Sequence, residues 1–335
     1  MERKRIAWST IAGGVLGLCL TLAGAANANA QTPAKELFGA QHTASAARPE
    51  SIGFYSHGCL AGGAQLPADG AAWQAMRLSR DRRWGHPELV AYVERLATEV
   101  RRRGLWPGLL IGDLSMARGG PMPFGHSSHQ IGLDADVWFQ PMPGQPLSEQ
   151  AREDFPFRSV LKKGGLTVDD RIWNDSYRDV LQLAASDPKV ERIFVHPGIM
   201  KKLCETTKGK RAWLNKVRPY YGHHEHFHVR LMCQPGSPNC ESQRSTGSGD
   251  GCDKLDWWFD VALQPPPPNA KPPKPKPPLT LADLPRQCRS VLAAPARAQS
   301  GLAISSKTGR PAPSTYSSSY AAPATVPLPR FRPDR

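Results

Sequence analysis

Two histidine clusters lie about a hundred positions apart, GHSSHQIGLDAD from Gly125 to Asp136 and HHEHFH from His223 to His228. Catalytic zinc commonly takes three protein ligands from His and Asp or Glu and leaves a fourth position to water. His126, His129 and Asp136 in the first cluster, with His223, His226 and His228 in the second, supply those types with some to spare. The chemistry they suggest is metal-assisted hydrolysis. An isolated His-rich hexamer is as readily a solvated surface tract, but an acidic partner at strand spacing and an earlier His pair argue for a site. The H-E-x-x-H helix of zinc proteases is absent. Ser127 and Ser128 sit among the histidines, yet neither lies in a G-x-S-x-G elbow, so a serine nucleophile is discounted.

The elements that would position these residues follow from periodicity. Leu133, Ala135, Val137 and Phe139 alternate with Asp134, Asp136 and Trp138, which predicts a strand aiming Asp136 away from the apolar face. The same parity puts Phe227, Val229 and Leu231 in the core and His226 with His228 on the opposite face. If the two strands are neighbours, Asp136, His228 and His129 converge. Leu89, Val93, Leu96 and Val100 mark an amphipathic helix over 86–103, and 177–185 reads as a second helix. Residues 109–114, 190–196 and 227–233 read as further strands. Helices between short strands, with no βαβ rhythm, predict an α+β single domain with a central antiparallel sheet flanked by helices.

Around that domain the composition changes. Glu2 to Arg5 and an apolar run from Ile6 to Ala26, followed by Ala28 and Ala30, describe a secretory signal peptide over 1–30. Gly13, Gly14, Gly17 and Gly24 make the run a poor membrane anchor, and Leu18 before Cys19 is too large for a lipidation site. Export to an oxidising compartment, either the periplasm or the extracellular space, suits the six remaining cysteines, whose even number predicts three disulfides of open pairing. Residues 31–50 read as an irregular lead-in and 51–263 as the catalytic domain. Residues 264–288 read as a Pro-rich strap ending in a bridged Cys288, and 289–335 as a disordered basic tail. The net charge is +14, but residues from 261 onward carry eleven Lys or Arg against Asp283 and Asp334. With so much of the charge in the tail, the basic pI is no argument for nucleic acid; the tail reads either as a contact for anionic envelope material or as a solvated disordered segment.

The fuller strings carry a family likeness. SIGFYSHGC (Ser51–Cys59), RRWGHPEL (Arg82–Leu89), GHSSHQIGLDAD, RIFV (Arg192–Val195) and KVRP (Lys216–Pro219) before the last His cluster resemble the penicillin-insensitive murein endopeptidases. That family belongs to the clan of lysostaphin-type, D-Ala-D-Ala-cleaving and hedgehog-like metallopeptidases. The resemblance implies zinc on His129, Asp136 and His228, with His126 a weaker ligand or a substrate contact. It implies His226 as general base, His223 as a further site histidine, and the disulfides Cys59–Cys288, Cys204–Cys252 and Cys233–Cys240. The family's second metal position corresponds to Lys163–Trp173, which has no His, so a second ion is doubtful despite Asp169 and Asp170 nearby. The implied activity is zinc-dependent hydrolysis of D-alanyl–meso-diaminopimelyl cross-links in peptidoglycan, insensitive to β-lactams.

Two alternatives remain at this level: a D,D-carboxypeptidase or dipeptidase of the same clan, for which Arg118 is a candidate carboxylate holder, and a non-catalytic wall-binding module. His57 and His86 read as structural residues in turns. Arg82 and Arg83 either pair with acidic groups or face water. Trp257 and Trp258 form either a glycan wall or, the safer reading, a core anchor beside Cys252.

Overall fold

The alternating run beginning at Leu133 forms the longest strand among the described residues, because its apolar half can be buried only if the chain is extended. The computed structural model describes residues 32–269 and 276–298. In chain order the strands are β1 (Glu50–Phe54), β2 (His57–Ala61), β3 (Ala64–Gln65), β4 (Asp69–Gly70), β5 (Trp73–Ala75) and β6 (Trp84–Gly85). They continue with β7 (Leu109–Ile111), β8 (Asp134–Pro141), β9 (Val190–Val195), β10 (Val217–Pro219) and β11 (His226–Leu231). The α-helices are α1 (Ala34–Gly39), α2 (Pro87–Arg102), α3 (Glu149–Asp154), α4 (Asp175–Ser186), α5 (Pro197–Thr206) and α6 (Gln287–Ala293).

A seven-stranded sheet in the order β10-β9-β11-β8-β7-β5-β4 organises the fold. Its centre is antiparallel, as α+β predicts: β11 pairs antiparallel with both β8 and β9, and β7 with β8. Parallel pairs lie further out, β10 with β9 and β5 with β7. Leu133, Ala135, Val137 and Phe139 of one segment and Phe227, Val229 and Leu231 of the other enter one core with Leu89, Val93, Leu96 and Val100 of α2 and Val180 and Leu181 of α4. The opposite face carries Asp134 and Asp136, and beyond them Trp138 in a smaller apolar cluster with Met76 and Leu110. Register then does the rest: His228 stands across from Asp136 and Arg230 across from Asp134.

Local chemistry sets the helix starts. Both α2 and α5 begin with His-Pro, the His side chain accepting the backbone N–H two residues on and the Pro occupying the first turn, where no N–H partner is needed. His86 is thus a helix cap. The strand expected over 109–114 ends at Ile111, because β7 slips register against β8 and the chain leaves the ladder. Gly112 permits this, since a Cβ there would come within 2.9 Å of the Trp138 indole nitrogen and 3.2 Å of Asp136 Cβ.

Both ends of the described chain carry more structure than composition predicts. The lead-in holds α1, whose Ala34 and Phe38 are fully buried in a second cluster with Ile52, Cys59, Leu284, Cys288 and Val291. Six residues are too few to show a helical period, so tertiary burial rather than propensity makes this helix. The tail is likewise ordered at its start: α6 runs to Ala293, and Ala296 bridges back to Ser45. The remainder of the expected tail, residues 299–335, lies outside the described residues, as do the expected signal peptide and residues 270–275 of the strap. Three disulfides staple the domain, Cys59–Cys288, Cys204–Cys252 and Cys233–Cys240. Among the described residues no helix is long and apolar enough to cross a membrane.

Candidate active site

Asp136 is the centre of the polar face. Its Oδ1 lies 3.5 Å from His129 Nε2, 3.2 Å from His228 Nδ1 and 3.6 Å from His226 Nε2, and its Oδ2 lies 3.4 Å from His126 Nε2. His223 completes the group, its ring centroid 5.1 Å from His226 and 5.8 Å from His228. All six residues singled out in the two sequence clusters therefore meet in one place. His126, His129 and Asp136 offer ligand atoms within 4.8 Å of one another.

Tautomers are set by the surroundings. His129 sits at φ 65° at the end of a loop, and its Nδ1–H donates to the Leu114 carbonyl, which leaves the Nε2 lone pair towards Asp136. His228 is turned the other way. Its Nε2 donates to Asp134 Oδ1 at 2.9 Å, which leaves Nδ1 towards Asp136. The Asp134 carboxylate also accepts the His129 backbone N–H and the Arg230 guanidinium, so one buried group fixes both the loop and the strand histidine. Arg230 is itself held between the Tyr55 and Phe194 rings.

His129 Nε2 and Asp136 Oδ1 are buried without a hydrogen-bond partner, since with the ring hydrogen on Nδ1 both atoms are acceptors. Buried polar atoms are nearly always satisfied, and such exceptions call for an ion or water. Two neutral imidazole lone pairs and a carboxylate oxygen directed at one point are the donor set of a metal centre of the zinc type. The residues present fit a metal.

Electrostatics agree with a site built around one anion. Burial pushes the Asp136 carboxyl up, but the His226, His129 and His126 rings outweigh it and hold the group well below the usual carboxylate range. Asp134 and Asp113 are lowered against burial in the same way, by Arg230 and His228 in one case and by His126 and Arg82 in the other. Burial lowers His226 to about 4 and His223 well below the imidazole range, keeping both rings neutral, with neighbouring histidines adding to the effect. Burial also lowers His129. His126 and His228 rise despite burial, because Asp136 and Asp113 face the first and Asp134 and Asp136 the second.

Other residues noted in the sequence fall elsewhere. Arg118 donates to the carbonyls of Val291, Leu292 and Ala294 and caps α6, so it holds no substrate carboxylate. Asp169 is paired with Arg171 and Asp170 with Lys202. Trp258 is buried against Tyr221, while Trp257 is 44% exposed. Arg82 is buried on Asp113. Conversely, Asp113, Asp134 and Arg230 were not singled out. Strand parity places Asp134 on the Asp136 face and Arg230 on the His228 face, which was the available signal. Asp113 had none, because it reaches the site only after the chain leaves β7.

An α+β sheet presenting convergent His and Asp lone pairs on its polar face defines a metallohydrolase type of site. The comparisons place the chain among the peptidases. The sequence profile of the penicillin-insensitive murein endopeptidases, a peptidase family, matches residues 51–293, and the chain belongs to that family. The penicillin-insensitive murein endopeptidase of Haemophilus influenzae is 41% identical over 247 residues, 73% of this chain and 83% of that protein. The protein of the same name from Yersinia pestis is 40% identical over 248 residues, covering 74% and 86%. That of Klebsiella pneumoniae is 39% identical over 244 residues, covering 72% and 86%.

Proposed function

We propose that this protein is a periplasmic zinc endopeptidase that hydrolyses D-alanyl–meso-diaminopimelyl cross-links in peptidoglycan. The observation that carries the reading is the pair of buried, unpartnered atoms His129 Nε2 and Asp136 Oδ1 facing His228 Nδ1. It is joined by the family's name and by the likeness to murein endopeptidases. His129, Asp136 and His228 are the proposed ligands, with His126 on the second Asp136 oxygen as a further contact. These residues would hold a zinc ion, whose chemistry there would be to lower the pKa of a water and polarise the scissile carbonyl.

The chain's own residues do the remainder. His226 is part exposed, and its Nε2 lies at Asp136 without a hydrogen bond, so its lone pair is available to take a proton and deliver it to the leaving amine. His223 donates its Nδ1–H to the Tyr221 carbonyl, so its neutral ring turns a lone pair at Nε2 to the same side, and it steadies a developing oxyanion only once it has taken a proton there. No serine takes part, so β-lactams, which trap a serine nucleophile, leave the reaction untouched. Cleavage of wall peptide outside the cytoplasm fits export through a signal peptide ending at Ala30 and the three disulfides.

Muropeptide analysis tests this directly. Incubating the purified mature protein with cross-linked sacculi should convert dimers to monomers, with a chelator abolishing the conversion and penicillin leaving it unchanged. Preferential trimming of uncross-linked pentapeptides would favour the carboxypeptidase of the same clan. Stoichiometric zinc with no hydrolysis of either substrate would make the protein a binding module.

A further inference from the structure

Beside the histidines, two arginines meet one carboxylate. Asp113 Oδ2 lies 2.8 Å from Arg82 Nη1, 3.1 Å from Arg80 Nη1 and 3.2 Å from His126 Nε2. Arg82 is buried, spends its Nη2 on the Phe124 carbonyl and balances the Asp113 charge by itself. Arg80 is 29% exposed, and among the described residues its only side-chain hydrogen bond is the one from Nη1. The Nε–Nη2 edge of its guanidinium has no acceptor among the described residues. Part-exposed ion pairs add little to stability, so folding does not account for a second arginine on a carboxylate already paired.

The backbone around Arg80 resembles that of the site. Among the described residues four non-glycine positions have left-handed φ: His129 at 65°, His223 at 52°, Arg77 at 54° and Asp81 at 50°. The first two carry site imidazoles, and the other two bracket the 3-10 turn Leu78–Arg80. Such conformations are costly for residues with a Cβ, persist only where the surroundings enforce them, and cluster at ligand clamps. Here the enforcement is visible. Arg77 donates to the carbonyls of Arg152 and Phe155, and Asp81 accepts the Trp84 indole N–H.

We propose that Arg80, with Phe124 beside it, is the subsite for a substrate carboxylate adjoining the scissile amide. The proposal rests on the reading of the protein as a cross-link endopeptidase. In a D-alanyl–meso-diaminopimelyl bond, the carbon bearing the scissile nitrogen also bears a free carboxylate, so an anion lies two bonds from the leaving amine. Arg80 stands three contacts from Asp136, through Asp113 and His126. Its unused edge is the planar fork that receives a carboxylate bidentately. Phe124 is 56% exposed, with its ring 4.2 Å from Arg82 Cζ and 5.8 Å from Arg80 Cζ. It covers Arg82 and offers an apolar wall to the methylene chain of a diaminopimelyl residue.

Two cross-linked peptides separate this subsite from the activity as a whole: one with the free carboxylate next to the scissile nitrogen, the other with a primary amide in its place. The zinc-loaded mature protein should favour the carboxylate by about 10- to 100-fold in kcat/KM, mostly through KM. Arg80→Gln should bring that ratio close to one with zinc content retained, and Arg80→Lys, which keeps the charge but not the fork, should fall between. An equal loss on both peptides in Arg80→Gln would overturn the assignment. If that variant does not fold, the wild-type ratio decides: equal cleavage of both peptides removes the subsite and leaves the endopeptidase, and cleavage of neither removes both.

Discussion

Asp134 shows how much of this site depends on residues that touch no substrate. One carboxylate accepts from the His129 backbone, from His228 Nε2 and from Arg230, so the two histidines cannot turn independently. Histidine ligands of metals are generally oriented by such partners. Asp136 and the lone pairs of His129 and His228 then form a set that fails if any member is missing. His129→Ala, Asp136→Ala and His228→Ala are each expected to lose zinc and activity together, and metal analysis of the purified variants checks it. A variant retaining full zinc would strike that residue from the ligand set. His226 is expected to behave differently, because it faces Asp136 at the longest distance of the four rings and remains part exposed. His226→Ala should keep its zinc and lose about 10²- to 10⁴-fold in turnover, as for a missing general base. Zinc stoichiometry and cross-link cleavage on one preparation test both halves, and loss of zinc would move the base role to His223.

At the level of elements, the two His-Pro helix starts make a pH-dependent contribution to stability. His196 caps α5 through a neutral Nδ1 that accepts the Gly198 N–H, and burial, with His224 adding to it, lowers the ring to about 4. The unfolded chain takes up that proton near pH 6.5, so the folded state binds fewer protons between the two values. The stabilisation is complete above the unfolded value and is lost as pH falls from about 6.5 towards 4, on the order of 3 kcal/mol. His196→Asn keeps an acceptor for the Gly198 N–H and does not titrate, so its unfolding free energy should decline less than the wild type's between pH 7 and 4.5. Parallel urea titrations giving equal declines would refute it. Legibility divided along similar lines. The strands bearing Asp136 and His228 could be read because burial on one face imposes a period of two, and α2 because four apolar residues recur at helical spacing. The hairpin β1–β2 could not, since Gly53 and Gly58 interrupt its alternation, and α5 is short and mixed. Asp113 was hidden by its slipped register, a property of the sheet rather than of its neighbours in sequence.

Across the whole molecule, the two ends of the described chain are tied to the segment that carries the site. Cys59 in β2 is joined to Cys288 in α6 across 229 residues. The hairpin it belongs to braces the segment bearing His126 and His129: Gly58 N–H donates to Gln130 Oε1, Leu60 N–H to the Arg118 carbonyl and Ser51 Oγ to the Ile131 carbonyl. Arg118 in turn caps α6, so the strap, the hairpin and the site segment are held as one layer. A crosslink that closes a long loop restricts the unfolded chain more than one that closes a short loop. Replacing Cys59 and Cys288 together by Ser is therefore expected to lower stability by about 2–5 kcal/mol. The same change at Cys233 and Cys240, only 7 residues apart, should cost less. Urea unfolding of both double variants checks the order. Because the long bridge anchors the hairpin that steadies the His126 and His129 segment, its removal should also raise amide exchange over residues 116–131 before it affects β11. Uniform exchange across the domain, or equal destabilisation by the two pairs, would show that the strap is a passive staple with no separate hold on the site.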